Sequence, residues 1–191
     1  MPGFFFQERY PKRFLGGEWE ALKKIRSGGG GLQNVKINAS FWKEPLVGGQ
    51  KVIKIMNKKG LVQGKNSLEI YAMCEIPSNV IFADEFLKVF DGYSIGSNDL
   101  TQLTLGVDRD SALIAHIFDE RNKAVTRMIA MVIEQCKKQN KYIGICGQAP
   151  SDYPEITRFL VENGIDSISL NPDSLLKMRQ VVVELENSKN S

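Results

Sequence analysis

From about residue 50 onward, hydrophobic positions follow two alternating rhythms. Runs of period two at residues 68–74, 92–95, 142–146 and 167–170 read as strands, each bounded by Gly, Pro or Asn. Between them, apolar residues recur at helical spacing. Val52, Ile53, Ile55 and Met56 do so over 50–59, with Gly60 as the stop. Ala83, Phe86 and Leu87 face inward over 80–90. The clearest stripe, Val125, Met128, Ile129, Val132, Ile133 and Cys136, predicts a helix over 120–139. A Ser-Asn-Asp loop at 97–99 precedes an apolar stretch over 100–107, and Asp108 to Ser111 can cap a helix. Pro150 to Pro154 starts a helix to 163–164, and Asn171, Pro172 and Asp173 open a closing one to about 186. Before residue 50 the pattern is fainter. A helix over 18–26 carries Trp19, Leu22 and Ile25, four glycines follow at 28–31, and residues 35–42 read as a weak strand.

One faint strand and four strong ones, separated by helices, predict an α/β fold. Reactive residues at successive strand ends suggest a parallel α/β barrel, and five strand–helix units are then either a partial (β/α)8 TIM-type barrel or an open sheet. At 191 residues the chain can bury a core, yet is short of the roughly 250 residues of a complete eight-stranded barrel. Its organisation reads as a divergent segment at 1–50, a barrel portion at 51–186 and a polar tail at 187–191, expected to fray. Hydrophobic residues at 42% and charged residues at 25% are ordinary for a globular protein. A net charge of +3, with no basic run interleaved with aromatics, argues against a nucleic-acid partner. No apolar stretch approaches the ~20 residues of a membrane span, and Gln7 and Glu8 end the Phe4 to Phe6 run too early for a signal peptide. Three cysteines without CxxC spacing disfavour a disulfide framework or a zinc site, and favour a cytoplasmic location.

The candidate chemistry sits where strands end. Glu75 follows the strand at 68–74, Asp99 follows that at 92–95, and Cys146 closes that at 142–146. Two carboxylates on neighbouring strand ends can share a divalent ion of the magnesium type, which prefers oxygen ligands. Glu75 can equally be a surface residue at the sheet's end. Gly96 lets a ligand approach the main chain, and Ser97, Asn98 and Asp99 can bind a cation or an oxyanion. Cys146 reads first as a small buried hydrophobe, and alternatively as a thiol that exchanges a proton with substrate carbon. Cys74 and Cys136 read as structural. His116, the sole histidine, reads as a packed or half-exposed helical residue, and the glycines at 28–31 lack the Gly-Lys-Ser/Thr of a phosphate loop. Arg109, Arg121 and Lys65 could neutralise phosphate but read as surface.

Residues 73–79 (Met-Cys-Glu-Ile-Pro-Ser-Asn), 90–106 (Phe-Asp-Gly-Tyr-Ser-Ile-Gly-Ser-Asn-Asp-Leu-Thr-Gln-Leu-Thr-Leu-Gly), 144–148 (Gly-Ile-Cys-Gly-Gln) and 164–172 closely resemble the C-terminal barrel of the phosphoenolpyruvate synthase family (pyruvate, water dikinases). The resemblance covers residues 52–186. It implies that Glu75 and Asp99 hold Mg2+ bridging the oxygens of pyruvate or phosphoenolpyruvate (PEP). It further implies that Gly96, Ser97, Asn98 and Asp99 contact the substrate and that Cys146 moves the proton at its methyl or methylene carbon. In the family a phosphohistidine on a swivelling domain donates the phosphoryl group, and ATP, pyruvate and water become PEP, AMP and phosphate. Neither the phosphohistidine domain nor the ATP-binding domain has a counterpart in these residues. Lys43 stands where the family carries an arginine, and a lysine cannot reproduce bidentate guanidinium binding. The expectation is thus a substrate-binding portion inactive alone. The alternative is a non-catalytic barrel remnant that forms homodimers through the apolar helices at 125–136 and 175–183.

Overall fold

The computed structural model describes residues 34–37 and 45–189. The helix expected over 18–26, the glycines at 28–31, Lys43 and the phenylalanines at 4–6 lie outside them. Five strands form one parallel sheet in sequence order: β1 (Asn34–Ile37), β2 (Glu69–Cys74), β3 (Gly92–Gly96), β4 (Tyr142–Cys146) and β5 (Ser167–Ile168). Parallel neighbours require a crossover at every step. These run through α1 (Pro45–Lys58), the pair α2 (Pro77–Ile81) and α3 (Ala83–Leu87), α4 (Ser97–Leu105) with α5 (Lys123–Lys138), and α6 (Ala149–Asp152) with α7 (Pro154–Glu162); α8 (Leu175–Lys189) closes the chain. This α/β arrangement is consistent with part of a barrel.

Several boundaries differ from expectation for local reasons. The Ser-Asn-Asp segment is the first turn of α4, not a loop. Residues 80–90 divide at Phe82, whose backbone (φ −102°, ψ 28°) leaves the helical region, although Ala83, Phe86 and Leu87 are buried as expected. The helix expected from Pro150 divides at Tyr153, which precedes Pro154 and is held extended (φ −123°, ψ 101°). Asn122 delays α5 by capping it, its Oδ1 accepting from the Ala124 amide at 2.9 Å. Asp108 closes a turn on Asp110 N at 2.9 Å instead of starting an α-helix. The polar tail stays helical to Lys189. Of the strand at 35–42 the described part is Asn34–Ile37.

Helix ends deliver strands by one repeated device. Gly60 (φ 82°) and Gly164 (φ 84°) occupy left-handed positions, and Leu61 N→Met56 O and Ile165 N→Leu160 O at 3.0 and 3.1 Å complete the C-terminal turns of α1 and α7. Asn140 (φ 53°) does the same for α5 through Lys141 N→Cys136 O at 2.8 Å. Strand starts are clamped by aspartates just ahead of the next strand. Asp91 accepts Ile70 N at 2.8 Å, and Asp166 accepts Ile143 N at 2.9 Å.

Successive strand residues face opposite ways. One sheet face, with Ile70, Ala72, Cys74, Ile95, Ile143 and Ile145, joins the core built with Phe86, Ile129 and Leu160. The other face is polar and small: Gly92, Ser94 and Gly96 on β3, Gly144 and Cys146 on β4, Ser167 on β5. The Tyr71 and Tyr142 rings stack there at 4.3 Å, 12° apart, although β3 runs between their strands. Gly92 lies in register with both, and a Cβ on it would meet the Tyr142 carbonyl oxygen at 2.2 Å. Strands two apart are roughly 9–10 Å from each other on a flat sheet. The rings therefore lean toward each other across β3, into the space that Gly92 leaves open.

Candidate functional site

The site is built where the strands end. After β2 the chain turns at once, because Pro77 opens α2 and Asn79 of that helix reaches back: its Oδ1 accepts the amides of Glu75 at 3.0 Å and Ile76 at 3.1 Å. The Tyr93 hydroxyl donates to the Asn79 carbonyl at 3.0 Å, securing the turn to β3. Glu75 is thereby held one residue beyond the strand, half-buried. The pairing of Cys74 with Ile95 continues to place it beside Gly96. A Cβ on Gly96 would lie 2.7 Å from Glu75 Cγ and 2.8 Å from Oε1, so the acidic side chain crosses over this glycine. On its other side Gly96 pairs with Cys146. A carboxylate and a thiol remote in sequence thus flank one glycine on one face.

Gly96 is also the N-cap of α4 and offers no capping side chain. Asp99, half-buried, stands in the first turn of that helix, at the same end of the sheet as Glu75. Ser97 and Asn98 are buried and turned into the protein. Asn98 takes both ends of the Gln148 residue: its Nδ2 donates to Gln148 Oε1 at 2.9 Å, and its Oδ1 accepts Gln148 N at 3.1 Å. The Ser97 hydroxyl packs against Gly147 (φ 156°), where a Cβ would sit 1.9 Å from it. The end of β3 and the loop after β4 are stitched together by these groups.

Of the three thiols, Cys146 is the accessible one, half-buried, and its sulfur accepts the Ser94 hydroxyl at 3.4 Å. Cys74 and Cys136 are buried in the core; burial pushes Cys74 well up and Cys136 up to about 12. Both pack inside, as the strand alternation at Cys74 and the helical stripe at Cys136 indicate. Four neighbours escaped the sequence reading. Ser94 had a signal, since period two from Gly96 puts it on the inner face. Gly147 and Gln148 follow Cys146 but showed no partner in the sequence. Glu120 gave no signal at all. It lies in the segment between α4 and α5 and is only 4% exposed. Burial raises its pKa most, with Asp152 pushing the same way, while the polar groups of nearby Ser97 and Ala149 and the charge of Arg109 pull it down. Its Oε1 has no partner among the described residues.

The remaining candidates lie elsewhere. His116 is exposed in a 3-10 turn, Lys65 is exposed, and Arg121 sits over the Tyr153 ring at 4.5 Å. Among the described residues no group of three or more His, Cys, Asp or Glu could hold a metal. Glu75 and Asp99 supply a two-carboxylate, all-oxygen donor set, which fits Mg2+, an ion that takes one or two carboxylates and fills its octahedron with water and substrate oxygens.

A sequence profile described as PEP-utilising enzyme, PEP-binding domain, matches residues 49–187. The chain is 57% identical over 182 residues to a phosphoenolpyruvate synthase of Helicobacter pylori, covering 95% of this chain and 22% of that protein. It is 63% identical over 169 residues to one of Synechocystis sp., covering 88% and 20%. With one of Aquifex aeolicus it shares 54% over 175 residues, covering 92% and 20%. The chain spans about a fifth of the length of the curated relatives it matches.

Proposed function

This chain belongs to the PEP-utilising enzymes through their PEP-binding domain, and from that premise we propose that it is the C-terminal portion of a phosphoenolpyruvate synthase. In the complete enzyme ATP, pyruvate and water become PEP, AMP and phosphate, with a phosphohistidine on another domain delivering the phosphoryl group to the enolate oxygen. This portion holds pyruvate or PEP. The observation that carries the reading is the grouping around Gly96: Glu75 across it, Cys146 paired with it, and Asp99 one turn beyond.

Each group has a task. Glu75 and Asp99 hold Mg2+, which when bound stabilises negative charge on the enolate oxygen and the transferring phosphoryl group. Gly96 leaves room for substrate against the main chain. Ser97 and Asn98, with their side chains engaged inside the protein, meet the substrate's carboxylate through main-chain N–H groups at the start of α4, where the helix dipole favours an anion. Cys146 carries the proton to and from the methyl or methylene carbon, with Ser94 fixing the orientation of the sulfur. The sequential parallel order supports an arc of a (β/α)8 barrel, whose chemistry gathers at the carboxyl ends of the strands. The setting is cytoplasmic, and the chain alone binds without turning over.

Calorimetry with Mg2+ and oxalate, an enolate mimic, tests this. The folded chain is expected to bind oxalate only when Mg2+ is present, and Asp99→Asn to weaken binding more than about tenfold, or ~1.4 kcal/mol. A folded wild-type chain giving no heat would overturn the reading. A second reading, self-association, loses its first support, because Val125, Ile129, Val132, Ile133 and Cys136 are all inside the core. It keeps another: Leu113 is 85% exposed, and Ile81, Phe82, Ile117 and Leu176 are exposed as well. Sedimentation decides it, with a strictly monomeric chain excluding the homodimer.

A further inference from the structure

We propose that Tyr142 is a specificity-determining residue: its hydroxyl, lying over Gly144 against Ser167, is a depth stop that admits the methyl carbon of pyruvate and rejects the longer chain of a larger 2-oxo acid. The inference deepens the function proposed above and rests on it, since the proton-carrying role of Cys146 is what places the methyl carbon.

Three observations support it. First, the inner face is built in rows. Pairing sets Gly96 beside Cys146, and one row below it sets Ser94, Gly144 and Ser167 side by side. All three residues of the lower row are buried. Second, the thiol addresses that lower row. Ser94 lies two residues before Gly96, yet its hydroxyl donates to Cys146 Sγ at 3.4 Å. A carbon that exchanges a proton with this sulfur therefore sits close above the row, and a further methylene on it is driven down into the row. Third, the room that Gly144 leaves there is already taken. A Cβ on Gly144 would lie 2.7 Å from the Tyr142 hydroxyl oxygen and 2.6 Å from Ser167 Oγ, and these two hydroxyls bond to each other. The Tyr142 ring is held from behind by Tyr71, stacked on it at 4.3 Å, and Tyr71 is itself buried and hydrogen-bonded to Glu69. The stop has no slack to give.

The test uses the whole chain with Mg2+ and reads the displacement of oxalate by pyruvate and by 2-oxobutyrate. Each affinity is taken relative to oxalate on the same variant, because oxalate has no methyl carbon to meet the stop. The wild-type chain is expected to favour pyruvate about tenfold or more, the discrimination that one unaccommodated methylene gives in a packed pocket. Tyr142→Phe keeps the ring and its stack and removes one oxygen, close to the bulk of a methyl group. It should lower the preference to about threefold or less. Tyr142→Leu, which shortens the side chain as well, should abolish the preference, and it decides the matter where Tyr142→Phe does not fold. A preference that survives in either folded variant overturns the stop while the proposed function stands on its oxalate binding. So does a wild-type chain on which the two acids displace oxalate equally or not at all. A folded wild-type chain that never binds oxalate overturns the proposed function, and the stop with it.

Discussion

At the scale of single residues, the thiols offer the sharpest discrimination. Cys146 is half-buried at the sheet's end, while Cys74 and Cys136 are inside the core with their ionisation pushed up. Because the thiolate is the nucleophile, iodoacetamide is expected to label one thiol per native chain quickly, at Cys146, and Mg2+ with oxalate should slow it. Mass mapping that finds Cys74 or Cys136 labelled at a comparable rate would contradict this placement. Gly147 makes a second case. Alanine there would press on Ser97 and hold a backbone angle that side chains rarely adopt, so Gly147→Ala should cost on the order of 2 kcal/mol in urea unfolding and abolish oxalate binding. Much at this scale was legible in advance. Gly96 and Cys146 end strands, Glu75 follows one directly and Asp99 falls in the helical turn after another, and strand ends can be located from period-two patterning. Glu120 was illegible, since nothing in the pattern between α4 and α5 signals that a carboxylate there is buried.

At the scale of elements, short polar side chains determine where helices start and stop. Asn79 is the principal case. Truncating it in Asn79→Ala leaves the Glu75 and Ile76 amides without their acceptor, at a cost of about 2 kcal/mol, measurable by thermal unfolding. The same change loosens the turn that holds Glu75, so Mg2+-dependent oxalate binding should weaken too; loss of stability with full affinity would show that Glu75 does not depend on the turn. Asn122→Ala removes a cap at the exposed start of α5 and should cost only about 1 kcal/mol, with no effect on oxalate. The stripe on α5 was read correctly because 16 residues give the helical period room to repeat. The breaks at Phe82 and Tyr153 were missed because the helices of four or five residues beside them contain too few turns to show a period. The start of α4 was taken for a loop because Ser, Asn and Asp favour turns and helix starts alike.

At the scale of the molecule, the core is rich in neutral acids that have to stay neutral. Cys74, Cys136 and Tyr93 all hold their protons more tightly folded than unfolded, chiefly through burial. The stability this contributes is intact below the unfolded values, about 8.5 for a thiol and 10 for a phenol. It is lost as pH rises through the folded ones, Cys136 reaching about 12. Guanidinium unfolding at pH 7, 9 and 10.5 should show midpoints falling from pH 9 upward. A flat series would mean these groups are less enclosed than their packing indicates.

The tyrosine stack over Gly92 has a consequence for traffic. Two aromatic rings bridge the inner surface near the strand beginnings, several residues below the glycine that Glu75 crosses. Seen from a small anion resting over Gly96, they form a floor. A small anion bound over Gly96, as proposed, would therefore enter and leave from the side of the strand ends.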